Sequence, residues 1–137
     1  MPLKASDWGE VERIIRTNRA LLLVVYDSGK HEQRYMRMFL RSIEPAFEPE
    51  VPIIYMDLRD LDENKRNEIL SRLRIGASDL PLLRLYYNGD MLWSQFGLFY
   101  SLSVDREAMR RGIWVALEKW GLKPLDLGLK LARLRNY

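Results

Sequence analysis

The sequence contains no cysteine, so it can form no disulfide and has no thiol to exchange, and a zinc site loses its usual ligands. Histidine occurs once, at His31, which leaves no material for a histidine-rich metal centre or for a Ser-His-Asp arrangement elsewhere. No metal or other cofactor is expected. Amides are scarce, five Asn and two Gln, while arginine (16) outnumbers lysine (6). Few thermolabile residues with many charges is the pattern of high-temperature proteins, and a thermophilic source is the expectation; an arginine-rich mesophile with GC-biased codons is the alternative. No apolar run approaches the ~20 residues of a bilayer-spanning helix. The start, Met1-Pro2-Leu3-Lys4-Ala5-Ser6-Asp7, has no apolar signal region, so a cytoplasmic protein is expected.

What is present suits one domain: 137 residues, 47% hydrophobic and 30% charged. The net charge is +3 and unevenly placed. Residues 119–137 carry five bases against Asp126, and the remainder is close to neutral. A neutral body with a basic tail argues against a protein-wide nucleic-acid surface.

Hydrophobic periodicity gives the elements in order. Asp7-Trp8-Gly9-Glu10 reads as a capping box opening a helix that buries Val11, Ile14 and Ile15 and ends near Asn18. Residues 21–26 form a continuous apolar run rich in β-formers, the mark of a strand buried on both faces. The spacing of Tyr35, Met36, Phe39, Leu40 and Ile43 predicts a helix over about 30–43, ended by Pro45 and Pro49, with Arg34, Arg37 and Arg41 on its wet side. Residues 52–57 read as the second core strand and 62–74 as a charged helix. Asn88-Gly89 between two β-rich runs predicts a hairpin, because both central residues of a type I′ turn need positive φ. Ser103 is placed to cap a last helix reaching about Trp120, with Met109, Ile113, Ala116, Leu117 and Trp120 as its buried stripe. A βαβ unit followed by a ββα unit makes an α/β protein with a mixed sheet and helices on both faces.

The strand 21–26, the corner Asp27-Ser28-Gly29-Lys30-His31-Glu32-Gln33, the tripeptide Asp79-Leu80-Pro81, the Asn88-Gly89 turn and the segment Phe96-Gly97-Leu98 follow one another as in thioredoxins. The chain resembles the thioredoxin-like superfamily over about residues 8–120. The resemblance implies a thioredoxin-like fold with a cis peptide bond before Pro81. It also locates the departures. Lys30-His31-Glu32-Gln33 stands where C-x-x-C would be, Gly29 replaces the preceding aromatic residue, Val24 stands at the buried acid, and Met56 falls near its lysine partner. A low-pKa thiolate at a helix N-terminus has no counterpart here. Spliceosomal thioredoxin-like proteins, phosducin-like proteins and some hydrogenase-maturation chaperones keep this frame without the disulfide chemistry and work by binding.

The expected function is therefore a redox-inactive adaptor or chaperone-like module, not an enzyme, recognising a protein or peptide. The resemblance places a peptide groove at Lys30, His31, Asp79, Leu80, Pro81, Phe96 and Gly97, with strand-like pairing to the backbone before Pro81. One alternative is an enzyme using residues 28–33 as glutathione transferases use this corner, with Ser28 as the hydroxyl. Another is weak nucleic-acid binding through the basic tail, although nucleic acid is disfavoured overall. Residues 1–121 read as the thioredoxin-like domain and 122–137 as a Leu-rich basic extension. Its leucines, Leu125, Leu127, Leu129, Leu131 and Leu134, fit either a strand or a helix and need cover. They are expected to pack on the domain, with Trp114 and Val115 as a landing surface, or to form a homodimer contact.

Overall fold

A computed structural model describes residues 1–135. Its elements are β1 (Leu3–Lys4), α1 (Trp8–Thr17), β2 (Ala20–Tyr26), α2 (Met36–Phe47), β3 (Ile53–Asp57), α3 (Glu63–Leu73), β4 (Leu82–Tyr87), β5 (Asp90–Phe96), α4 (Leu102–Lys119) and α5 (Pro124–Leu127). The five strands form one sheet in the order β1-β3-β2-β4-β5. β1 and β2 run parallel to β3, whereas β4 is antiparallel to both β2 and β5.

Every residue of β2 is buried, as its unbroken apolar run requires. Strand side chains alternate between faces. Leu22, Val24 and Tyr26 thus join a core with α2, α4 and the C-terminal leucines, while Leu21, Leu23 and Val25 join one with α1 and α3. Local chemistry sets the helix starts. The Asp7 carboxylate accepts from the Glu10 amide and Asp62 accepts from the Lys65 amide, each at 2.8 Å. Asn88 and Gly89, at φ 51° and 84°, give the hairpin its two left-handed positions.

Several details differ from the sequence reading, among them Trp120, which is half exposed and not part of the buried stripe of α4. The edge strand β1 is only two residues long, too short to show a period. Pro45 lies inside α2, on its exposed face; the helix stops instead before the cis Glu48–Pro49 bond. The cap position of α4 is Ser101, and Ser103 is already helical. Tyr55, not Met56, is in register with Val24; Met56 pairs with Val25 and faces the opposite layer.

The C-terminal segment is neither one strand nor one helix. The short α5 ends at Gly128, whose φ of 79° turns the chain, and a tight helical turn over Leu131–Leu134 follows. Leu127, Leu129, Leu131 and Leu134 are buried in the core shared by α2 and α4, and only Leu125 stays out, 85% exposed. Polar ties fix the segment: the Lys130 amide donates to the Ala46 carbonyl at 2.9 Å, and Arg106 donates to the carbonyls of Ser42 and Arg133. Trp114 and Val115, the expected landing surface, remain about half exposed because the tail lies on the α2 side of α4. Of the five leucines considered for a dimer contact, four are thus covered by their own chain.

Candidate functional site

The corner between β2 and α2 is closed by hydrogen bonds. A tight helical turn, His31–Tyr35, leads into α2 without a side-chain cap. Gln33 is buried, and its side-chain carbonyl accepts the Asp27 amide at 2.7 Å. Asp27 in turn accepts the Gly29 amide at 2.9 Å. Asp57, at the end of β3, takes both the amide and the hydroxyl of Ser28. The loop is thereby held by amide and carboxylate groups where thioredoxins place sulfur.

Three separate segments meet beside this corner. Lys30 Nζ donates to the Ala77 carbonyl at 3.2 Å, bridging from the corner to the loop before β4. The Leu80–Pro81 bond is cis, and the Pro81 carbonyl accepts the Gly97 amide at 2.8 Å. Gly97 adopts φ 78°, a left-handed conformation that suits glycine. Leu80 and Pro81 are buried, whereas the Leu80 carbonyl accepts no hydrogen bond from any described residue. Its amide makes a long bond of 3.4 Å to the Ala77 carbonyl. Phe96 is 55% exposed and Phe99, three residues on, 73% exposed.

Of the seven residues expected at the groove, Lys30, Leu80, Pro81 and Gly97 are brought together by these bonds. Asp79 serves the loop itself, its carboxylate accepting the Gly76 amide at 2.8 Å. His31 is exposed, and its imidazole makes no hydrogen bond or ion pair with a described residue. No imidazole or amine thus engages the Ser28 hydroxyl, because Lys30 is committed to Ala77 and His31 stands free. Among the described residues no three His, Asp or Glu side chains gather to hold a metal ion.

Asp105 escaped the sequence reading. It is fully buried and accepts the Tyr35 hydroxyl at 2.9 Å and the Phe99 amide at 2.8 Å, tying α4 to the start of α2 and to the loop after β5. Burial, reinforced by that bond, pushes the Tyr35 phenol far above its ordinary pKa. The signal was present: an acid four residues before Met109 sits on the apolar stripe of α4.

No protein-family model matches the sequence, and neither does any curated protein. Solved structures do resemble it in shape. A mutant thioredoxin from Halobacterium salinarum superposes with a TM-score of 0.61 at 16% identity, covering 84% of this chain and 89% of that one. Oxidised mitochondrial thioredoxin 3 from Saccharomyces cerevisiae gives 0.60 at 18%, covering 82% and 92%. Thioredoxin from Plasmodium falciparum gives 0.60 at 15%, covering 86% and 98%. The chain has the thioredoxin fold. It is a version of that fold without the C-x-x-C pair, so thiol-disulfide exchange has no thiol to run on.

Proposed function

We propose that the protein is a redox-inactive thioredoxin-fold module that binds an extended polypeptide of a partner protein. The observation that carries this reading is the meeting of Lys30, Leu80-Pro81 and Gly97 at one place, with the Leu80 carbonyl left unpaired. A peptide strand laid along this loop would donate an amide to that carbonyl, and its side chains would rest near Phe96 and Phe99. In this reading the loop before β4 serves recognition, while the corner beside it is locked by Gln33 and Asp57 and carries no thiol. The adaptor role follows from binding without turnover.

The test is selection from a displayed library of unstructured peptides, followed by amide NMR titration of the best binder. The expected result is saturable binding that shifts the amides of Leu80, Phe96 and Gly97, and that weakens in a Phe96→Ala/Phe99→Ala variant. A library that yields no binder, or shifts confined to other faces, would overturn the reading.

A further inference from the structure

A cleft of about 790 Å³ opens between α2 and the β1–β3 edge of the sheet, and none of the seven groove residues lines it. Its walls carry Arg34, Arg37 and Arg41 from the α2 side and Arg59 from the turn after β3. β2 and β3 present Tyr26 and Tyr55 to the same cleft, stacked with centroids 6.3 Å apart and planes 17° apart. None of the four guanidinium groups makes a hydrogen bond or ion pair with a described residue, and neither tyrosine hydroxyl has a partner there. The cleft also holds three acids, Asp57, Asp60 and Glu44, and each is paired with another residue of the same lining. Asp60 is paired with Lys4, Asp57 holds Ser28 and the Arg59 amide, and Glu44 lies against the Met1 ammonium.

Arginines one turn apart, such as Arg37 and Arg41, repel each other on an isolated helix. Here they repel across a concavity that also collects Arg59 from a distant part of the chain. A volume of this size falls in the range of small-molecule sites. Guanidinium groups arriving from two walls match a tetrahedral phosphoryl group, which offers three acceptor oxygens in different directions; a planar carboxylate takes its forks in one plane. The Tyr26 hydroxyl is a protonated donor at neutral pH, as any phenol is, and burial moves it further from ionising, to about 12.

We infer that this cleft binds a small anion bearing at least two phosphoryl groups, held by Arg34, Arg37, Arg41 and Arg59 over the Tyr26–Tyr55 floor. The inference is independent of the peptide reading, since the two surfaces share no residue.

The test is calorimetric titration of the full chain at low salt, without divalent metal, using inorganic tripolyphosphate in one arm and a nucleoside triphosphate in the other. Saturable binding of one equivalent is expected. An Arg37→Glu/Arg41→Glu variant should bind roughly tenfold or more weakly for each arginine replaced. Circular dichroism should show that variant folded, because both side chains are exposed. An Arg72→Glu control, on α3 and away from the cleft, should bind like the parent. Equal affinity in the two arms assigns the site to the phosphate chain alone. Tighter binding of the nucleotide, lost selectively in Tyr55→Ala, assigns it to a nucleotide with its base on the tyrosines. Absence of saturable binding, or equal weakening by Arg72→Glu, would overturn the inference.

Discussion

The two ends of α2 are built differently. Its C-terminal end is covered by the tail, where Leu127, Leu129, Leu131 and Leu134 complete an apolar core with α4. Its N-terminal end buries Met36 and Phe39 in the same core, but the corner leading into it is held by polar bonds, Gln33 to the Asp27 amide and Asp57 to the amide and hydroxyl of Ser28, with Lys30 reaching across to Ala77. One end is fastened by area removed from water, which is cooperative and strong. The corner is fastened by hydrogen bonds, each contributing little net stability. The difference separates scaffold from surface: the end that is cheap to open is the end with unpaired backbone and exposed aromatics nearby.

The largest expected effect comes from removing the apolar fastening. Truncation after Gly121 removes four buried leucines, each contributing roughly 1.5–3 kcal/mol, and uncovers the faces of α2 and α4 beneath them, so the shortened chain should melt far lower or fail to fold. Leu134→Ala is the milder form, expected to cost about 2–5 kcal/mol in urea unfolding. Leu125→Ala should stay within about 0.5 kcal/mol, because that leucine is already in water. Equal melting of all three chains would break the contrast.

Gly128→Ala comes next. An added Cβ would sit 2.7 Å from the Glu50 Cβ, at a backbone φ of 79° that L-residues rarely adopt. A loss of about 1–3 kcal/mol is expected by thermal melting. An unchanged melting point would mean that the tail can leave α2 without consequence.

At the other end, Gln33→Ala removes one bond and should cost about 1–3 kcal/mol, because the Asp27 amide loses its partner in a half-buried place. Tyr35→Phe takes one donor from Asp105 and should fall in the same range of about 1–3 kcal/mol. A corner variant costing more than Leu134→Ala would reverse the comparison. Insulin reduction by dithiothreitol should proceed at the blank rate in every one of these chains, since none contains cysteine. Any acceleration in a clean preparation contradicts this.

The smallest effect concerns pH. Hydrogen bonds from Arg110, then Arg111, hold the Glu107 carboxyl down at about 2, below the ordinary 4.5. A depressed folded-state pKa stabilises above the unfolded value, and that share is lost as pH falls from about 4.5 through 2. Glu107→Gln should therefore narrow the gap in melting temperature between neutral and acid pH slightly. A widened gap would give the opposite sign.

Much of this architecture could be read directly from residue patterns. The unbroken run of β2, the Asp7 cap and the Asn88-Gly89 turn all depend on neighbours in sequence, and all stand in the structure. What escaped reading depends on distant partners. β1 exists only because β3 offers it an edge. The tail's alternating leucines imitate a strand because α5, left-handed Gly128 and the last turn each point one inward in succession. Arg34, Arg37 and Arg41 look like a wet helix face until Arg59 and Tyr55 close the cleft from β3. Asp57 was invisible as the partner of Ser28, 29 residues away. The cis bond before Pro81 was legible from the order of motifs, whereas the Gly97 bond to the Pro81 carbonyl and the Lys30 bridge to Ala77 needed the fold.

Amide hydrogen exchange on the full chain tests the contrast between the two ends most directly. The Lys130 amide, bonded to the Ala46 carbonyl, should exchange only with global unfolding, together with the centre of β2. The Asp27 and Lys30 amides of the corner should exchange by local opening, at least tenfold faster than Lys130 after correction for intrinsic rates. A Lys130 amide that exchanges as fast as the corner, while β2 stays protected, would show that the tail is not part of the core and would contradict the central claim.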